Sequence, residues 1–181
     1  MTDPTPRDHT VASRPLVIAI GNPFRRDDGV GAAVVEHLRA TGAVAYALDL
    51  LELDGEPTRL VDAWDGRPHV VVVDAVVDPR RAPGEVVAVR VREGGRPTGD
   101  APAGGATGVS SHSAGIAVAV RLGEVLGRMP VALTVVGVVG GDFGDGPGLS
   151  PPVAAAIPAA ADAVGSLVPL TPPRGRRRAE R

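Results

Sequence analysis

Leu16–Gly31 reads LVIAIGNPFRRDDGVG, and this stretch decides the fold class. Its first five residues are apolar without interruption. A short run of that kind fits a strand buried on both faces, as in a parallel sheet covered by helices. A polar, glycine-containing turn follows. Beyond it Val30, Val34 and Leu38 recur at i, i+4 and i+8, which predicts a helix over Asp28–Ala40 with one apolar stripe.

The same alternation continues outward. Val70–Val73 (VVVV) and Leu133–Val139 (LTVVGVV) are two further buried-strand runs, and Ala43–Leu51 supplies another strand that ends near Asp54-Gly55. Glu85–Arg92 puts Val87, Val89 and Val91 on one face, the pattern of a half-exposed edge strand. Helices are expected over Pro57–Asp65, with Pro57 at its first position, and over Ser113–Arg128, capped by Ser110 or Ser111. Ser150-Pro151 opens a last helix toward Leu167, which Pro158 is expected to kink or split. Gly94–Gly108 reads as a long flexible loop. The fold class is α/β: a three-layer α/β/α sandwich around a mostly parallel twisted sheet. Residues 15–168 form the single domain, 1–14 a flexible leader and 169–181 a disordered arginine-rich tail.

Composition narrows the chemistry. The chain has no cysteine, which excludes disulfides, thiolate metal sites, iron–sulfur clusters and a cysteine nucleophile. All 19 basic residues are arginine. The absence of lysine excludes a Walker-A loop, a pyridoxal Schiff base and a lysine general base. Pro169–Arg181 holds five arginines and one glutamate, so the rest of the chain carries −6 against a total of −2. An acidic body argues against nucleic acid as the partner. No apolar run reaches the ~18–20 residues of a membrane span, and the first fourteen residues lack the apolar core of a signal peptide. The expectation is a soluble cytoplasmic monomer that acts with carboxylates, imidazole, hydroxyls and backbone.

Ligands of open parallel sheets bind beyond the carboxyl ends of the strands. Three polar clusters fall there: GNPFRRDDGVG, Asp74 after VVVV, and Ser110–Ser113 (SSHS) before a predicted helix. Asp28, Asp74 and His112 therefore gather at one rim if their strands are neighbours. Each also has an ordinary role: Asp27 or Asp28 caps the helix, Asp74 opens a turn, and His112 is structural. His9, His37 and His69 carry no such signal. Two carboxylates and an imidazole suit a borderline divalent ion such as nickel, zinc, cobalt or manganese. Asp28 and Asp74 sharing a proton, as in aspartic-type endopeptidases, is a second chemistry. A serine nucleophile is disfavoured because no G-x-S-x-G elbow occurs. The glycine turn is not G-x-G-x-x-G, and two acids at the helix start would repel a pyrophosphate.

LVIAIGNPFRRDDGVG, VVVVDAV at Val70–Val76 and SSHSAGIAVAV at Ser110–Val120 together resemble the hydrogenase maturation proteases, with the likeness covering most of Leu16–Val168. The resemblance implies an endopeptidase that trims the C-terminal extension of a nickel-loaded hydrogenase large-subunit precursor. It also implies that Asp28, Asp74 and His112 contact the nickel, and that the nickel belongs to the substrate rather than being a permanent cofactor. The carboxylates of Asp28 and Asp74 then position the metal and polarise a water or the scissile carbonyl. The family often has an Asp-Gly-Gly-Thr-like segment where this chain has Asp54-Gly55-Glu56-Pro57, so Asp54 alone is matched. Substrate choice is expected in Arg25-Arg26 and in Gly94–Gly108. A non-catalytic metal- or partner-binding module, or an unrelated metal-dependent hydrolase, are the alternatives on this fold.

Overall fold

The three apolar runs become three adjacent parallel strands at the centre of the molecule. They are β1 (Leu16–Ile20), β3 (His69–Val76) and β6 (Ala132–Val139), with Ile18 level with Val72 and Val72 level with Val135. The structure, a computed structural model, describes residues 14–42, 48–92, 96–99 and 113–168. Beside β1 lies β2 (Asp49–Leu53), also parallel. On the far side of β6 lie β4 (Val86–Arg92) and then β5 (Arg96–Gly99), both antiparallel to their neighbours. The order β2-β1-β3-β6-β4-β5 is thus a mixed sheet whose parallel part carries the turns that open the helices.

Alternation along each strand divides the core into two layers. Val17, Ala19, Val71, Val73, Val136 and Val138 point to one face, where α1 (Val30–Thr41) and α4 (Pro151–Leu167) cover them. Leu16, Ile18, Ile20, Val70, Val72 and Val135 point to the other, under α2 (Pro57–Trp64) and α3 (Ser113–Leu126). Trp64 is wholly buried in this second layer. Each such valine, leucine or isoleucine contributes ~1.5–3 kcal/mol of burial, which is why continuous apolar runs fix the strand positions. The expected α/β/α sandwich is observed.

Four local expectations are corrected. Glu85–Arg92 is not an edge strand: β4 sits between β6 and β5, and Arg96–Gly99, expected inside a flexible loop, forms the edge instead. Asp74 lies within β3 rather than after it, opposite Gly137 of β6, and the strand runs on to Val76. Asp28 belongs to a 3-10 turn, Arg26–Gly29, that precedes α1. Pro158 does not split α4, which runs unbroken over Pro151–Leu167 with Pro158 on its exposed face. The strand expected from Ala43 begins at Asp49, and residues 43–47 lie outside the described set, as do 1–13 of the leader, the tail 169–181 and the remainder of Gly94–Gly108. Among the described residues no helix is long and apolar enough to cross a membrane.

Candidate functional site

The turn after β1 is built by close backbone approach. Gly21 has φ +135°, and a Cβ there would stand 1.9 Å from the carbonyl oxygen of Asp28. Only glycine suits both the conformation and the contact. At the start of α1, a Cβ on Gly31 would lie 2.6 Å from the carbonyl oxygen of Ile20 and 2.9 Å from that of Val73. The first turn of α1 therefore rests directly on the ends of β1 and β3. One helical turn before Gly31 is Asp28; one residue beyond Val73 is Asp74. The sequence rule for strand ends thus brings these two acids to one rim, Asp28 from the turn after β1 and Asp74 from the neighbouring β3. Both are buried, at 1% exposure.

Asp28 is oriented by the turn itself, since the backbone N–H of Asn22 donates to its Oδ2 at 2.9 Å. Asp74 shares a face with Val70 and Val72 by alternation, which directs it toward the layer of α2 and α3. The start of α3 approaches the same rim, because a Cβ on Gly115 would stand 2.4 Å from the carbonyl oxygen of Gly55 in the β2–α2 turn. His112, together with Ser110 and Ser111, lies outside the described residues. Among the described residues no group of three or more His, Cys, Asp or Glu side chains is placed to hold a metal ion. Asp54 is exposed and engaged locally: its Oδ1 accepts from the Glu56 N–H at 3.2 Å, and its Oδ2 pairs with Arg59 at 3.0 Å. His37 lies on α1 and His69 at the first position of β3.

Asp27 has a role that the capping reading missed. It does not cap α1, whose N-cap is Gly29. Its carboxylate is fully buried and accepts four hydrogen bonds from the β6–α4 loop: Gly141 N–H and Asp142 N–H at 2.9 Å each, Ser150 N–H at 2.7 Å and the Ser150 hydroxyl at 2.9 Å. Burial would raise the carboxyl, but the bonds from the Ser150, Gly141 and Asp142 amides and the Ser150 hydroxyl outweigh it and hold it below the usual aspartate range. Backbone pairing extends the seam, with Asp27 N–H to Asp142 O, Arg26 N–H to Gly146 O, and Gly146 N–H to Phe24 O at 3.0, 3.0 and 2.8 Å. Arg26, at φ +50°, is the one non-glycine residue with positive φ among the described residues, and its guanidinium meets Asp142 at 3.6 Å. The turn holding Asp28 is thus locked to a loop more than 110 residues away. Remote backbone donors leave no trace in a sequence, so no sequence signal marks this seam beyond the doubled aspartate.

After β3, Asp78 is a second buried anchor. It accepts from the Arg80 amide at 3.0 Å and from the Arg80 guanidinium at 3.1 and 3.2 Å, which shapes the turn leading to β4.

The sequence profile of the hydrogenase maturation proteases matches residues 32–166, beginning directly after the glycine-rich turn. The hydrogenase 2 maturation protease of Escherichia coli (strain K12) is 28% identical over 151 residues, spanning 83% of this chain and 88% of that protein. A hydrogenase expression/formation protein HupD of Bradyrhizobium diazoefficiens is 32% identical over 142 residues, spanning 78% and 70%. Among solved structures, the Escherichia coli hydrogenase maturating endopeptidase HybD shares the fold with a TM-score of 0.65 at 24% identity, covering 83% of this chain and 89% of that one.

Proposed function

The chain belongs to the hydrogenase maturation protease family and is a peptidase, and from that premise we propose that it removes the C-terminal extension of a nickel-loaded hydrogenase large-subunit precursor. It acts in the cytoplasm as a monomer, and the nickel is the substrate's own. The observation that supports this reading most is the placement of Asp28 and Asp74: one buried carboxylate in the turn that follows β1 and another inside the adjacent parallel strand β3, joined by a helix start seated on both strands. Oxygen donors of this kind, with His112 as nitrogen donor, match a borderline ion that already has thiolate ligands in its substrate.

In this reading Asp28, Asp74 and His112 contact the precursor's nickel and register its presence. The carboxylates also serve as the aspartic-type catalytic groups. One takes a proton from a water as its oxygen adds to the scissile carbonyl carbon; the proton passes to the leaving amide nitrogen as the C–N bond breaks. The Asn22 amide keeps Asp28 aimed during the exchange.

Nickel-loaded and metal-free precursor are incubated with the wild type and with Asp28→Ala, Asp74→Ala and His112→Ala. The wild type should cut only the loaded form, and each variant should cut it at least ~100-fold more slowly. Equal cleavage by the variants overturns the site. A wild type that binds the loaded precursor without cutting it favours a binding module.

A further inference from the structure

Each of the two acid-bearing segments also carries one exposed apolar side chain. Phe24 stands four residues before Asp28 and is 71% exposed; Val77 stands three residues after Asp74 and is 39% exposed. Phe24 lies in the turn after β1 and Val77 directly follows β3, so both stand at the carboxyl end of the sheet. The exposed Val125, Leu126 and Val131 lie elsewhere, at the end of α3 and the turn before β6, which is the opposite end.

Phe24 is held in place although its ring is not covered. Its N–H donates to Asn22 Oδ1 at 2.9 Å, and its carbonyl accepts from Gly146 N–H at 2.8 Å. Arg25 N–H closes on Asn22 O at 3.0 Å, and the Arg25 backbone bridges Gly146. The backbone is therefore fixed on both sides of the ring, and only the side-chain torsions remain free. A rigidly presented aromatic with so little of its surface covered is the pattern of an interface anchor, because little conformational freedom is lost when it is covered.

Resting on the function proposed above, we infer that Phe24 is a specificity-determining residue: it docks an aliphatic or aromatic side chain of the precursor segment flanking the scissile bond. Val77 supplies the smaller second contact, so an extended peptide is held across the two acids by apolar contacts on either segment. The occupant is a peptide because the two apolar residues lie on the same two segments as the buried carboxylates that the reaction needs. Phe24 takes no part in bond making; it sets affinity and register.

The test is the steady-state cleavage of nickel-loaded precursor by the wild type, Phe24→Ala, Phe24→Leu, Val77→Ser and Val125→Ser. Phe24→Ala should raise KM about tenfold or more with kcat within about twofold, Val77→Ser should raise it less, and Phe24→Leu should restore most of the loss. Val125→Ser should leave both constants unchanged. Replacing the docked precursor residue by serine should weaken cleavage by the wild type but not further weaken Phe24→Ala, since the two changes remove one contact. An unchanged KM for Phe24→Ala, a fall confined to kcat, or an equal rise for Val125→Ser overturns the inference while wild-type cleavage leaves the proposed function standing. A wild type that leaves the loaded precursor uncut overturns both.

Discussion

Asp27, in the turn after β1, and Glu56, in the turn after β2, both precede a helix, and both carboxyls are held below the usual range by different means. Glu56 is half-buried, and its partners are local: the Thr58 hydroxyl at 2.6 Å and the Arg59 amide at 2.9 Å, the latter capping α2. The Thr58 hydroxyl is the main cause of its lowering, followed by the Arg59 amide. Asp27 is buried, works against its own desolvation, and draws its donors from the β6–α4 loop, two strands away in the sheet. The locally bonded acid serves one helix. The buried acid fastens two loops, one of which carries Asp28, so its loss reaches the site.

Asp27→Ala should show the largest effect. Three backbone N–H groups and a hydroxyl lose their acceptor in a part-buried seam, at about 1–3 kcal/mol for a donor left unsatisfied. A total of about 4 kcal/mol, the low end for four donors, lowers Tm by about 8–16 °C in a chain of this size, and precursor cleavage should fall with it. Thermal unfolding that shifts by less than about 2 °C would erase the distinction between the two turns.

Acid titration sharpens it next. Because the folded carboxyl of Asp27 lies below its unfolded value, its contribution is fully present above about pH 4 and is lost as pH falls through the folded value. The stability gap between the wild type and Asp27→Asn should therefore be widest near neutrality and close in acid, as read by denaturant midpoints across pH. A gap that widens on acidification would reverse the sign.

The smallest effect belongs to Glu56→Ala. It removes a solvent-screened cap and should lower Tm much less than Asp27→Ala, with cleavage unchanged. An equal loss would mean that the β2–α2 turn matters to the site as much as the β1–α1 turn does.

The sequence carried whatever depends on local pattern. LVIAI, VVVV and LTVVGVV are apolar at almost every position because both faces of β1, β3 and β6 are covered, and their neighbouring positions bring Asp28 and Asp74 to one rim. β5 is illegible in the sequence because Arg96–Gly99 reads RPTG, with a proline and no apolar alternation, which leaves β4 with the pattern of an edge. Asp74 hid the end of β3, since an acid inside a buried strand reads as its terminus. Asp27 was legible as a polar residue in the right place, but its partners are backbone amides of Gly141, Asp142 and Ser150, which side-chain identity does not announce.

Trp64 gives the chain a built-in optical reporter. It is the sole tryptophan, and it is sealed among α2, α3 and the strand faces beneath them, while α1 and α4 contain no aromatic residue at all. Its emission should be that of an indole shielded from water, and its red shift on denaturation records the opening of one layer only. Circular dichroism weighs all four helices of the described residues. Superposing the two signals therefore asks whether the sheet loses both coverings together, and it does so without any label.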